Sequence, residues 1–205
     1  MATQTATVFI VDDDEGVRES LGFLMKSVGL NFSAFASAQQ FLDAYDLNIP
    51  GCLVLDIRMP GMSGLELQGK LKERQAILPI IFITGHGDVP MAVEAMQNGA
   101  VDFIQKPFRD QELLDRINEA MEQDSTNRQG LLQKHDIAAR METLTQREHE
   151  VMDLVAAGRA NKVIAGDLGV SQRTVEIHRA RVMEKMQARS LADLVRMVMQ
   201  VREEA

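Results

Sequence analysis

One cysteine, no apolar stretch long enough for a membrane, and too few basic residues to balance the acidic ones mark this 205-residue chain by what it lacks. Cys52 has no partner for a disulfide and no companions for a cysteine zinc site, so it reads as a core residue in a reducing compartment. No apolar run approaches the roughly 18–20 residues that span a bilayer. The start, Met1-Ala2-Thr3-Gln4-Thr5, has neither a basic segment nor an apolar signal core, so secretion is not expected and the cytoplasm is. Hydrophobic residues at 45% and charged residues at 25% are the proportions of a soluble globular protein.

The net charge of -8 argues against nucleic-acid binding only until it is divided along the chain. Residues 1–122 carry 9 Lys+Arg against 18 Asp+Glu, residues 123–143 carry 3 against 3, and residues 144–205 carry 10 against 9. The acid is concentrated in the first part, and the last part is judged on where its charges lie.

The chain is organised around Cys52-Leu53-Val54-Leu55-Asp56-Ile57-Arg58-Met59-Pro60-Gly61. An apolar run bounded by Pro50-Gly51 and Pro60-Gly61 reads as a strand buried on both faces, with Asp56 at its carboxyl end. Asp56 alone is equally well explained as a helix cap. Its company decides: Asp12-Asp13-Asp14, Thr84 and Lys106-Pro107 each end an apolar run of their own.

Around it the period alternates. Thr7–Val11 is a strand, and Val17, Leu21, Leu24, Met25 and Val28 recur as an amphipathic helix stopped by Gly29. A short strand follows near Phe32–Phe35, and Ser37 caps a helix burying Phe41, Leu42 and Tyr45. After the Asp56 strand come a helix at Leu65, Leu67 and Leu71 and a strand at Pro79–Thr84. A helix opened by Asp88 and Pro90, a strand at Val101–Ile104, and a helix capped by Asp110 complete the series. Parallel strands need crossovers, so the pattern is (βα)₅, a doubly wound sheet. If its strand order is 2-1-3-4-5, Asp12 and Asp13 come beside Asp56, and Thr84 and Lys106 line the same crevice.

Clustered carboxylates need a compensating cation. All-oxygen ligands suit a hard ion, and Mg²⁺ (or Mn²⁺) fits a site with few protein ligands and several waters. Asp13 and Asp56 are expected as direct ligands with the Arg58 carbonyl, and Asp12 acts through water. Lys106 adds a second positive charge and Thr84 a hydroxyl. This set is what phosphoryl transfer to an aspartate requires, with Asp56 as nucleophile.

Ile10-Val11-Asp12-Asp13, Leu55 through Gly61, Thr84-Gly85-His86-Gly87 and Phe103 through Phe108 resemble, in order and spacing, the receiver domain of two-component response regulators. The stretch Thr84–Phe108 is most similar to the FixJ branch. The resemblance implies a flavodoxin-like fold, phosphorylation of Asp56 by a sensor histidine kinase, and a cis peptide before Pro107. It also implies a switch in which Thr84 moves toward the phosphoryl group and Phe103 turns inward, reshaping the face at roughly Asp88–Met121. A buried strand aromatic is the plainer account of Phe103 taken alone, but Thr84 and Lys106 flank it at the right spacing and favour the switch role. His86 reads as a loop residue.

Residues 123–143 are polar, with Gly130 in the middle and no sustained heptad. Either the last receiver helix continues and pairs with a twin, or the segment is a tether. From residue 144 the pattern is helical. Thr145-Gln146-Arg147-Glu148 is a capping box, Asn161 caps a second helix, Gly169 provides a turn and Ser171 caps a third. Ser190 opens a fourth with Leu191, Leu194, Val195 and Val198. On the third helix Arg173, Glu176, Ile177, Ala180 and Arg181 share the face opposite Val175 and Val182.

Leu144 through Glu148, Asn161-Lys162, Ile164-Ala165 and Ser171 through Met186 resemble the LuxR-type DNA-binding domain. The resemblance places Arg173, Glu176, Ile177, Ala180 and Arg181 toward the major groove and Lys162 and Thr174 on phosphates. His178 is expected to pack or touch backbone, and the fourth helix to form a dimer surface. The expectation is thus a receiver at 1–122, a linker at 123–143 and a four-helix DNA-binding domain at 144–205. Together they make a transcription regulator that dimerises on phosphorylation and binds double-stranded promoter DNA with RNA polymerase as a partner. Two alternatives stand beside it: a constitutive DNA binder whose receiver takes no phosphate, and an aspartyl-phosphate phosphohydrolase. The latter wants a second Asp where this chain has Arg58.

Overall fold

The computed structural model describes residues 5–85 and 89–202, and the chain divides into two compact units between Arg128 and Gln129. The first unit contains β1 (Thr7–Val11), α1 (Glu15–Ser27), β2 (Asn31–Phe35), α2 (Ala38–Ala44) and β3 (Gly51–Asp56). It continues through α3 (Gly64–Glu73), β4 (Ile80–Thr84), α4 (Val89–Gln97) and β5 (Asp102–Gln105) into α5 (Asp110–Glu142). All strand pairs are parallel, in the order β2-β1-β3-β4-β5.

The uninterrupted apolar strands follow from burial on both faces. Phe9, Val11, Leu53, Leu55 and Phe82 pack against Phe41 of α2, Leu67 of α3 and Ala95 of α4. Alternate residues Val8, Ile10, Val54, Ile81 and Ile83 meet Leu21 and Met25 of α1 and Leu113 and Ile117 of α5. Every residue of β3 and β4 is buried, whereas the edge strands β2 and β5 are partly open. Asp14 caps α1, Ser37 caps α2, and Ser63 with Glu66 forms a capping box on α3. At Gly64 a Cβ would lie 2.4 Å from the Asp56 carbonyl oxygen, so only glycine lets the chain turn back so closely behind the crevice.

Asp110 is the first helical residue of α5, not its cap. The segment after residue 122 is helical through Glu142, and its first part is anchored in the first unit. Buried Asp124 accepts from the Gly51 amide at 2.9 Å and from Arg128 Nε at 2.8 Å. Arg128 then donates to the Leu47 carbonyl at 3.0 Å and the Ile49 carbonyl at 2.9 Å. His86, Gly87 and the expected cap Asp88 lie outside the described residues.

The second unit comprises the remainder of α5 with α6 (Gln146–Ala156), α7 (Asn161–Leu168), α8 (Gln172–Lys185) and α9 (Leu191–Arg202). Ile137, Leu144, Val151, Val155, Ile164, Val175, Val182, Met186, Leu194 and Val198 form its core. Leu191, expected in that stripe, is exposed. Thr145 and Glu148 make the capping box of α6, and Lys185 locks it by donating to Glu148 at 2.6 Å and to the Thr143 carbonyl at 3.0 Å. Gly169 closes α7 in the left-handed conformation at φ 64°, and Ser171 caps α8. Asn161 is not the cap of α7: Ala160 holds that position without a side-chain bond. The Asn161 Oδ1 instead accepts from Arg179 at 2.6 Å and ties α7 to α8. The architecture is a (βα)₅ doubly wound flavodoxin-like sheet followed by an all-α helix-turn-helix unit.

Candidate functional site

The strand order gathers the chemistry at the carboxyl ends of the strands. Val11 is in register with Leu55 and Asp56 with Ile83, so Asp12, just beyond β1, arrives beside the last residue of β3. Thr84 ends β4, and Lys106 follows β5, its amide donating to the Thr84 carbonyl at 2.7 Å. The Lys106–Pro107 peptide is cis.

Lys106 Nζ lies 2.8 Å from Asp12 Oδ2 and 2.8 Å from Asp56 Oδ1. Asp12 and Asp56 are both buried, and their remaining oxygens accept backbone amides, Asp12 Oδ1 from Asp14 at 2.9 Å and Asp56 Oδ2 from Arg58 at 2.7 Å. Burial lifts the Asp56 carboxyl above its ordinary value, and the Lys106 contact opposes this without cancelling it. Burial also works to lower the Lys106 ammonium, but the hydrogen bonds and charges of Asp12 and Asp56 together hold it above its ordinary value. The crevice therefore keeps one fixed cation between two carboxylates that would otherwise repel.

Of the other expected residues, Thr84 is buried at the crevice wall and the Arg58 side chain is exposed. Asp13, expected to point inward, is exposed. Its carbonyl, together with that of Asp12, accepts from Arg18 at 2.9 and 2.8 Å. Among the described residues no three His, Cys, Asp or Glu side chains stand in metal-binding range of one another. Phe103 is 41% exposed, which rules out the plain buried aromatic. Exposed Val93 and Met96 lie on α4, which packs beside β5.

In the second unit Arg173, Glu176, Ile177, Ala180 and Arg181 are all exposed on α8, and Lys162 is exposed on α7. Thr174 is half-buried, its hydroxyl bonded to that of Ser171 at 2.8 Å. The basic residues of α8 divide into two sets. Arg179 and Lys185 are tied to Asn161 and Glu148, whereas Arg173 and Arg181 make no ion pair among the described residues. His178 is half-buried, with an Nδ1 that meets no hydrogen-bond partner among them.

Sequence reading missed Arg18 and the Asp124–Arg128 clamp. The only signal for the clamp is an i, i+4 acid–base pair, which on most helices is a solvated surface contact.

A parallel sheet with an acid–lysine crevice at its strand ends, joined to a helix-turn-helix, defines a signal-responsive DNA-binding regulator. Residues 8–118 match the response regulator receiver domain, and residues 142–198 match the bacterial regulatory proteins of the luxR family. Nodulation protein W of Bradyrhizobium diazoefficiens is 51% identical over 196 residues, 96% of this chain and 86% of that protein. The transcriptional regulatory protein FixJ of the same organism is 47% identical over 197 residues, 96% of both chains. Among solved structures, response regulator StyR superposes with a TM-score of 0.83 at 45% identity, covering 96% of this chain and 99% of that one. Full-length FixJ from B. japonicum gives 0.60 at 46%, covering 97% and 98%. The chain belongs to the family of response regulators that join a receiver to a LuxR-type DNA-binding domain. It is a phosphorylation-activated transcription regulator and not a dedicated enzyme. No helix among the described residues is long and apolar enough to cross a membrane.

Proposed function

We propose that the chain acts in the cytoplasm, that Asp56 is the phosphoryl acceptor, that a sensor histidine kinase is the donor, and that phosphorylation drives dimerisation on promoter DNA. The observation that carries this reading is the Lys106 ammonium at 2.8 Å from the Asp56 carboxylate, buried at the mouth of a doubly wound sheet. As the Asp56 oxygen bonds phosphorus, the phosphorus–nitrogen bond of the kinase's phosphohistidine breaks. Lys106 then turns from the carboxylate to the new phosphoryl oxygens, and Thr84 donates its hydroxyl to them.

The residues fit a small hard cation: Asp56, the Arg58 carbonyl and Asp13, once its exposed side chain turns inward, supply oxygen only, few enough to leave places for water, and Asp12 acts through one of those waters. When bound, Mg²⁺ or Mn²⁺ neutralises charge on the transferring group. Movement of Thr84 toward the phosphate opens space behind it, and Phe103 leaves the surface to fill that space. The exposed Val93 and Met96 then form a dimer face. Paired effector units grip two half-sites, the second contact being intramolecular, with RNA polymerase as the partner at the promoter.

In the second unit Arg173, Glu176, Ile177, Ala180 and Arg181 face the major groove while Lys162 and Thr174 touch phosphates. Size-exclusion chromatography and DNA-binding titrations with and without acetyl phosphate test the switch. Wild type shifts to dimer and binds more tightly when phosphorylated, and Asp56→Asn does neither. Equal DNA binding in all these states contradicts the proposal.

A further inference from the structure

We infer that Glu176 selects cytosine, its carboxylate accepting from the exocyclic N4 amino group of one base in each half-site. The inference rests on the DNA-binding reading of α8 and adds to it the base that this side chain recognises. An acidic residue in the middle of a DNA-facing surface is unfavourable near phosphate, so its place needs a base-edge reason.

The rotation of α8 is fixed from behind. Val175, Val182 and Met186 are buried in the core, and Arg179 is held by Asn161 Oδ1 at 2.6 Å. Glu176 is thereby turned outward beside Ile177, an apolar side chain 48% exposed. Two arginines stand at helical spacing from Glu176: Arg173 three residues before and Arg179 three residues after. Arg179 is committed to Asn161, and Glu176 makes no ion pair with any described residue. Ala180, one turn further on, places only a methyl group beside it. The carboxylate oxygens thus keep all their acceptor capacity on an open face.

A carboxylate only accepts, so it needs a donor on the base edge. In the major groove guanine shows O6 and N7 and thymine shows O4, all acceptors that repel it. Adenine offers N6–H beside the N7 acceptor, which a glutamine amide matches and a carboxylate does not. Cytosine presents N4–H₂ without an adjacent acceptor on its own edge, and it alone fits.

The test is selection of duplexes from a randomised library by the full-length chain, wild type against Glu176→Gln and Glu176→Ala, followed by affinity measurements on the enriched sites. Wild type enriches cytosine at one position per half-site and discriminates against other bases there by about tenfold or more. Glu176→Gln moves that position to adenine, and Glu176→Ala leaves it without preference. Thermal unfolding should be unchanged, because Glu176 is exposed and unpartnered. If Glu176→Ala keeps the cytosine preference and merely binds every duplex more tightly, Glu176 only repels phosphate and the inference is overturned. If wild type enriches no sequence at all, the DNA-binding reading fails and this inference with it.

Discussion

The ammonium of Lys106 donates to Asp56 Oδ1 at 2.8 Å although fifty residues separate them in the chain. The same nitrogen reaches Asp12 Oδ2 at 2.8 Å, so one lysine holds together groups delivered by β1, β3 and β5. Because burial raises the Asp56 carboxyl, its charged form at neutral pH is unfavourable to the fold. Asp56→Asn therefore keeps the receiver as stable as wild type or stabilises it, by up to roughly 2 kcal/mol, while abolishing phosphorylation. Urea unfolding at pH 7 checks this, and a clear loss of stability in the variant contradicts it.

Arg128 should matter more than its place in a polar segment suggests. Its removal leaves Asp124 buried without its cation and the Leu47 and Ile49 carbonyls without their donor. Arg128→Ala is expected to destabilise the first unit by about 3–5 kcal/mol. The chain contains no Trp and a single Tyr, Tyr45, which packs in the first unit. Intrinsic tyrosine fluorescence during urea unfolding thus reports that unit by itself, and an unchanged midpoint would count against the clamp.

Glu148 gives the second unit an acid limit. Its hydrogen bonds with Lys185, then with Thr145, lower its carboxyl to about 2 from an ordinary 4.5. A depressed carboxyl stabilises fully above the unfolded value and loses that stabilisation as pH falls through the folded one. Wild type should exceed Glu148→Gln in stability by roughly 1–3 kcal/mol above pH 5, with the difference vanishing between about 4.5 and 2. A difference that stays constant to pH 2 would rule out the ion pair as its source.

Neighbouring arginines on α8 should fail in different ways. Arg181→Ala removes from the DNA-facing surface an exposed cation that makes no ion pair among the described residues, so it weakens DNA binding and leaves thermal stability alone. Arg179→Ala breaks the bond to Asn161 and lowers the melting temperature of the second unit. Salt-titrated binding and calorimetry on both variants separate the two; matching behaviour would contradict the division.

The sheet was readable because β1, β3 and β4 are uninterrupted apolar runs, a pattern that burial on two faces demands. Parallel connectivity brings Asp12, Asp56, Thr84 and Lys106 together once the strand order is β2-β1-β3-β4-β5, which the structure supplies. The direction of Asp13 was not readable, since adjacent carboxylates look alike until the backbone turn sends one inward to Lys106 and the other to solvent. Asn161 reads as a cap in the sequence because caps and first-turn residues share a composition, and only Arg179, eighteen residues on, decides its role. The Asp124–Arg128 pair leaves no such mark for a related reason: its partners, the Leu47 and Ile49 carbonyls and the Gly51 amide, are backbone groups more than seventy residues away.

Intact mass spectrometry decides whether Asp56 accepts a phosphoryl group in this crevice. Wild type and Asp56→Asn are incubated with acetyl phosphate, with and without Mg²⁺. Wild type should gain a single phosphoryl adduct that requires the metal ion and is absent from Asp56→Asn. An adduct that persists in the variant, or none on wild type under any condition, would contradict it.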